Sequence, residues 1–210
     1  MVSTARTAHE ETGQVYSFVI NALPVQTGDL LCVSSGGREI LVGEFWRFLG
    51  RLVPGEVDHV AIYLGPESLC IEAGPNGVHT FNIVGGVWDG VKMMPQRGNY
   101  TDTLLGVAYP LAGRGFTPQE EAQIRAQVRQ FCLEQARQRK KYNFNILNAD
   151  TDEAFYCSQL PYRAYLPHGI NLNTGLGVPD LPGSESIVFP QEIWDGCVHK
   201  KVELDNLGGV

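Results

Sequence analysis

The chain has 210 residues and a formal net charge of −7, a length that suits one well-packed domain and a charge that argues against nucleic-acid binding. No apolar run approaches a membrane span, and the N-terminus lacks the basic start and apolar core of a signal peptide, so we expect a cytoplasmic protein without a transmembrane segment. Its five cysteines, an odd number without paired spacing, suit a reducing compartment, and with the five histidines they show no close metal-ligand spacing. We therefore expect one domain over residues 1–210, with no metal and no cofactor.

The first quarter of the chain predicts a helical start, a strand and a second helix. Residues 1–25 are interpreted as a helical extension, because acidic residues at 10 and 11 precede an amphipathic run at 15–20. A strand is expected from Asp29 and a helix over residues 40–52.

A hairpin is predicted over residues 57–73. Residues 57–64 alternate as in a half-buried strand, a Gly-Pro-Glu-Ser turn follows, and residues 69–73 form the returning strand. A connection of two or four residues puts the apolar side chains on one face and groups His59, Cys70 and Glu72 on the other. The two-residue connection makes His59 and Glu72 direct cross-strand neighbours, and the four-residue connection makes them diagonal neighbours.

The second half of the chain predicts short strands, a long helix, a loop and a closing helix. The strands are expected near residues 78–83, 91–94 and 104–109. A helix to about residue 141 begins with a capping box formed by Thr117 and Glu120. Segment 173–186 is rich in glycine and proline, and it is interpreted either as a surface loop or as a lid over the site. A final helix starts near Pro190.

Cys157 stands where an extended segment is predicted to turn into a helix. Pro161 supports this placement, because proline is tolerated in the first turn of a helix and is costly further in. The partial positive charge of a helix N-terminus favours the thiolate, which is the nucleophilic form. A helix-terminal cysteine, a histidine and an orienting carboxylate are the parts of a Cys–His–acid nucleophilic site. The alternative is a buried inert cysteine with an ordinary strand histidine and glutamate, since spacing alone does not bring Cys157 next to the hairpin.

Five segments in chain order carry a resemblance to a known family: Thr-Gly-Asp-Leu-Leu at 27–31, Asp-His-Val-Ala-Ile-Tyr-Leu-Gly at 58–65, Ile-Glu-Ala-Gly-Pro at 71–75, Tyr-Cys-Ser-Gln-Leu at 156–160 and Phe-Pro-Gln-Glu-Ile at 189–193. The chain resembles the circularly permuted papain-fold amidases, the bacterial YiiX/YaeF-like group, which is related to NlpC-type cell-wall peptidases and to lecithin–retinol acyltransferases. The resemblance spans most of the chain. It implies an α+β, circularly permuted papain-like fold in which a small antiparallel sheet or barrel packs against helices.

By that resemblance Cys157 is the nucleophile, His59 the base and Glu72 the orienting acid of a cysteine amidase or peptidase. The implied substrate is a small peptide, a cell-wall fragment or an N-acyl amino acid, cleaved through a thioester on Cys157. Acyltransferase relatives usually carry a histidine where Glu72 stands, which favours the amidase branch.

Two positions depart from the family pattern without touching these three residues: Gln159 replaces an expected acidic residue, and Pro161 interrupts an apolar run. A thioester-based acyltransferase and a non-catalytic binding module on the same fold remain the alternatives. The sequence does not indicate an oligomeric state.

Overall fold

The computed structural model describes residues 14–34, 55–98, 101–176 and 182–203. Within them the strands are, in chain order, β1 (Ser17–Ile20), β2 (Leu23–Gln26), β3 (Leu30–Ser34), β4 (His59–Tyr63), β5 (Leu69–Gly74), β6 (Gly77–Asn82), β7 (Thr103–Tyr109), β8 (Lys141–Tyr142), β9 (Ala154–Phe155) and β10 (Val198–Lys201). The α-helices are α1 (Gly90–Arg97), α2 (Pro118–Arg137), α3 (Gln159–Tyr165) and α4 (Pro190–Gly196), and short 3-10 turns cover Leu166–His168 and Ser184–Ser186.

The main sheet has six strands in the spatial order β10–β7–β3–β4–β5–β6, and every neighbouring pair is antiparallel. The expected mixture of an antiparallel sheet and helices is therefore confirmed. Among the described strands the sheet is open, with β10 and β6 at its edges, so the barrel alternative is not what these strands form. Two smaller pairings, β1 with β2 and β8 with β9, lie outside it.

The expected helix over residues 15–20 is wrong, because residues 17–20 form strand β1, which pairs with β2. Burial along β1 alternates, and Phe18 stacks on Tyr63 with ring centroids 6.2 Å apart, so the segment uses a period of two. Residues 1–13 of the predicted helical extension, and the predicted helix at 40–52, lie outside the described residues.

The expected strand at 91–94 is also wrong, since it lies in helix α1. Asp89 caps this helix by accepting a hydrogen bond from the Lys92 amide at 3.0 Å, and Met93 and Arg97 are buried one turn apart. Pro95 lies inside α1, and this breaker obscured the helical pattern in the sequence.

Three predicted elements are confirmed at the positions that matter for the site. Helix α2 begins with the Thr117–Glu120 capping box, with its helical hydrogen bonds ending at Gln138. The other two are strand β3, which follows Asp29, and helix α4, which starts at Pro190.

Both faces of the sheet are buried. On one face Val60 and Ile62 belong to a core that includes residues of α2 and α3. On the other, Ala61 and Tyr63 belong to a second core that includes residues of the β1–β2 hairpin and α1. Strand β4 is therefore buried on both sides, whereas its sequence pattern predicted a half-buried strand. No described helix is long and apolar enough to cross a bilayer.

Candidate functional site

The β4–β5 hairpin uses the four-residue connection. Ile62 lies opposite Ile71, and the Leu64 amide donates to the Leu69 carbonyl at 2.8 Å. Continuing this register places His59 and Glu72 as diagonal neighbours on the same face of the sheet. The side chains meet across the strands, with His59 Nε2 2.8 Å from Glu72 Oε2. Since a carboxylate only accepts, Nε2 carries the proton of this hydrogen bond and Nδ1 faces away from Glu72.

Cys157 lies in the turn that leads into α3, two residues before the assigned start of the helix. The hydrogen bond from the Leu160 amide to the Tyr156 carbonyl, 3.2 Å long, already has helical spacing. Segment 187–189 holds both residues that flank the cysteine. Ser158 Oγ donates to the Val188 carbonyl at 2.6 Å, and the Val188 amide donates to the Tyr156 hydroxyl at 2.9 Å. The backbone around Cys157 is thus fixed on both sides.

The side chain of Gln159 also holds this turn in place. Its Oε1 accepts from the Tyr156 amide at 3.2 Å and from Asn143 Nδ2 at 2.9 Å. Its Nε2 donates to the Thr151 and Ala149 carbonyls at 2.9 and 3.2 Å. The side chain is fully buried. An amide can donate and accept in this way, whereas a carboxylate could only accept, which explains why glutamine stands here rather than an acid.

The structure brings Cys157 to the hairpin. The Cys157 thiol is in hydrogen-bonding contact with the His59 imidazole, although the two residues are far apart in sequence. Burial lowers the pKa of His59, but the hydrogen bonds and charges of Cys157 and Glu72 outweigh burial and raise it to about 10. With Nε2 engaged by Glu72, Nδ1 is the nitrogen left for the thiol.

Glu72 is completely buried and is held by a salt bridge that the sequence did not reveal. Arg97, also buried, donates through Nε to Oε1 at 3.0 Å and through Nη2 to Oε2 at 2.7 Å. The same guanidinium donates to both oxygens of Asp102 at 2.8 Å. Burial raises the pKa of Glu72, but the hydrogen bond from His59, the contact with His79 and the charges of His59 and Arg97 hold it well below its usual range.

Aromatic rings fix Arg97 in this position. Its guanidinium carbon lies 4.8 Å from the Phe81 ring centre and 4.7 Å from the Trp88 ring centre. Trp88 Nε1 also donates to Asp102 Oδ1 at 2.9 Å. The signal in the sequence was weak but present, since Asp89 as a helix cap with Met93 and Arg97 one turn apart predicts a helix that buries Arg97.

A second histidine reaches the same carboxylate. His79 lies opposite Glu72 in the β5–β6 register, and its Nε2 is 3.3 Å from Glu72 Oε1. This distance suits an ion pair, but the two groups are not aligned for a hydrogen bond. Its Nδ1 lies 2.9 Å from the Gly77 carbonyl. Sequence reasoning missed His79, although its place opposite Glu72 follows from a tight β5–β6 turn.

Tyr142, on β8, lies close enough to Cys157 to interact with its charge. Burial and the charge of a Cys157 thiolate raise the pKa of the Tyr142 hydroxyl well above its usual range, so this hydroxyl stays protonated near the thiol. None of the described hydrogen bonds uses the backbone N–H of Cys157 or Ser158 as donor.

The other four cysteines are free and buried, and three are deep in the core, with Cys70 among them. Burial raises the pKa of the Cys70 thiol far above its usual range, which disfavours Cys70 as a nucleophile. Within the described ranges, no group of three or more His, Cys, Asp or Glu side chains could hold a metal ion.

Comparison of the chain with protein-family models, with curated proteins and with solved structures finds no match. The site is therefore interpreted from its own geometry and chemistry.

We expect limiting iodoacetamide near neutral pH to alkylate Cys157 before any other thiol. Cys197 is the matched internal control, because both residues are 9% exposed. Burial, only partly offset by Arg114, raises the pKa of Cys197 to about 11, whereas Cys157 has the His59 imidazole beside it. Peptide mapping by mass spectrometry measures the order of labelling. His59→Gln should remove the advantage of Cys157, and equal labelling of Cys157 and Cys197 in the wild type would contradict the expectation.

We expect Glu72→Gln to lower the free energy of unfolding at pH 7 by about 3–5 kcal/mol, the usual effect of removing one partner from a buried ion pair. Because the folded pKa of Glu72 is depressed, its stabilising effect is present above the pKa of an unfolded glutamate, about 4.3, and is lost as pH falls below it. Urea unfolding at several pH values should therefore show a weaker loss of stability in acid for the variant than for the wild type.

Glu134→Gln is the control for this measurement. Glu134 also pairs with an arginine, Arg137, at 2.6 Å, but on the exposed face of α2, where ion pairs contribute little. Its unfolding should match the wild type at pH 7. A Glu72→Gln protein as stable as the Glu134→Gln protein would contradict the account of the buried cluster.

Proposed function

We propose that this protein is a cysteine hydrolase that cleaves an amide bond through a thioester on Cys157. One observation carries the proposal: the Cys157 thiol, at the start of a helix, contacts an imidazole whose other nitrogen is bound by a buried carboxylate. In the proposed roles Cys157 is the nucleophile, His59 the base and then the acid, and Glu72 the residue that fixes the tautomer of His59.

In the first half of the reaction, His59 Nδ1 accepts the thiol proton and the sulfur attacks the carbonyl carbon of the amide. The hydrogen bond from Nε2 to Glu72 fixes the tautomer of the neutral ring, which leaves Nδ1 to accept the thiol proton, and it stabilises the imidazolium that results. His59 then gives the proton to the amide nitrogen, the C–N bond breaks, and the amine leaves. Cys157 is left as a thioester.

In the second half, His59 Nδ1 takes a proton from water, and the resulting hydroxide attacks the thioester carbonyl. The C–S bond breaks, and the proton on His59 returns to the sulfur. The acid product leaves, and the thiol–imidazole pair is restored with no net change in the enzyme.

The negative oxygen that forms in each half needs donors close to Cys157. The N–H groups of Cys157 and Ser158 are the first candidates, because no described acceptor engages them. The protonated Tyr142 hydroxyl is a third. Removing one such donor in other enzymes costs roughly 10²–10³ in rate.

The substrate class and the fold family rest on the resemblance of the sequence. The order histidine strand, acidic strand and nucleophile helix agrees with a circularly permuted papain-like arrangement, and the antiparallel sheet packed against helices is compatible with it. On that basis we propose small peptides, cell-wall fragments or N-acyl amino acids as the substrates.

We expect Cys157→Ala to abolish hydrolysis across a panel of short peptides and N-acyl amino acids, because no thioester can form without the thiol. Cys197→Ala, which removes an equally exposed thiol, should keep wild-type turnover. Release of free amine measures activity, and thermal melts check that both variants fold.

Full activity in a folded Cys157→Ala protein would rule out the proposed mechanism. Aminolysis products in place of hydrolysis products, formed when an amine is added, would instead identify an acyltransferase. A wild-type protein that binds members of the panel without turning them over would identify a binding module.

A further inference from the structure

Glu72 is shared by two imidazoles, and their second contacts differ. His59 Nε2 lies 2.8 Å from one carboxylate oxygen, and His79 Nε2 lies 3.3 Å from the other. The remaining nitrogen of His59 faces a thiol, which can donate or, as thiolate, accept. The remaining nitrogen of His79 lies 2.9 Å from the Gly77 carbonyl, which can only accept.

These contacts determine where each ring carries protons. A neutral His59 protonated on Nε2 donates to Glu72 and still offers Nδ1 to the thiol, so both contacts are satisfied. A neutral His79 satisfies only one contact. If its proton is on Nδ1, a buried lone pair on Nε2 faces the carboxylate, and if the proton is on Nε2, a lone pair on Nδ1 faces the Gly77 carbonyl. Only the imidazolium form of His79 places a proton toward both acceptors.

The charges around Glu72 agree with this assignment. Glu72 and Asp102 carry two negative charges against the single positive charge of Arg97, and all three side chains are buried. These three charges sum to −1, so a protonated imidazole beside Glu72 is electrostatically favoured. Burial and Arg97 lower the pKa of His79, but the contact and charge of Glu72 and the Gly77 carbonyl outweigh them and raise it. On the far side of β6, the Val78 amide donates to the Lys140 carbonyl at 2.8 Å.

We propose that His79 is a positioning residue that remains an imidazolium between Glu72 and the Gly77 carbonyl, and so lets His59 gain and lose its proton. The two histidines on one carboxylate then have different roles: His59 moves protons and His79 holds one. This inference rests on the proposed function, because it explains how Glu72 serves His59.

The absence of His79 should make His59 more basic. Without the His79 cation, the repulsion between two imidazolium rings is removed, and Glu72 stabilises a protonated His59 more strongly. A neighbouring charge at this range typically shifts a pKa by about one unit or more. His79→Gln, which keeps a donor toward Glu72 but not the charge, should therefore raise the pKa of His59 by about one unit.

Long-range ¹H–¹⁵N NMR of ¹⁵N-histidine-labelled protein tests this without turnover. In the Cys157→Ala protein, which has no thiolate to hold a proton on His59, both ring nitrogens of His79 should stay protonated to higher pH than those of His59. In the wild-type background, His79→Gln should raise the midpoint of the His59 titration, and His199→Gln, at an exposed histidine on β10, should leave it unchanged.

A neutral His79 at pH 7, or an unchanged His59 midpoint in a folded His79→Gln protein, would overturn the inference. Cys157 labelling by iodoacetamide, measured on the same samples, separates this failure from failure of the proposed function. Preferential labelling with a neutral His79 refutes only the role of His79, whereas an unreactive Cys157 refutes the nucleophile itself.

Discussion

The salt bridge between Glu72 and Arg97 is the interaction on which the candidate site depends. A carboxylate with no exposure is unfavourable in a protein interior unless its charge is paired and its oxygens accept hydrogen bonds. Arg97 meets both needs, and Asp102, Phe81 and Trp88 fix Arg97 in turn. Because Glu72 is thus kept ionised in one place, His59 is held in one tautomer and one orientation.

The sulfur is placed by a separate set of contacts. Val188 holds both neighbours of Cys157. Gln159 connects the turn to the carbonyls of Ala149 and Thr151 by hydrogen bonds. These contacts are hydrogen bonds of neutral groups, whereas those that hold His59 are ionic. The two sets of contacts meet at the beginning of β4, where His59 and Cys157 touch. Rigid support from both sides is what a reaction between two side chains of distant sequence position requires.

Part of the candidate site could be predicted from the sequence, and part could not. The pairing of His59 with Glu72 followed from parity, because an even-numbered connection puts both on one face, but the choice of four residues depended on hydrogen bonds that close the turn. The position of Cys157 at a helix start followed from Pro161. Its contact with His59 is a long-range one, and no local pattern specifies that. Arg97 was missed because Pro95 hid a helix, and β1 was missed because a short apolar run fits helix and strand alike.

The most direct test of the account is to trap the covalent intermediate. The protein would be mixed with a nitrophenyl ester of an N-acyl amino acid, quenched in acid within the first turnover, and examined by intact-mass and peptide-mapping mass spectrometry. The account predicts one added acyl group, on Cys157, that hydroxylamine removes as it does a thioester. Hydrolysis of the ester with the acyl group on another residue, or undiminished hydrolysis by a folded Cys157→Ala protein, would contradict it.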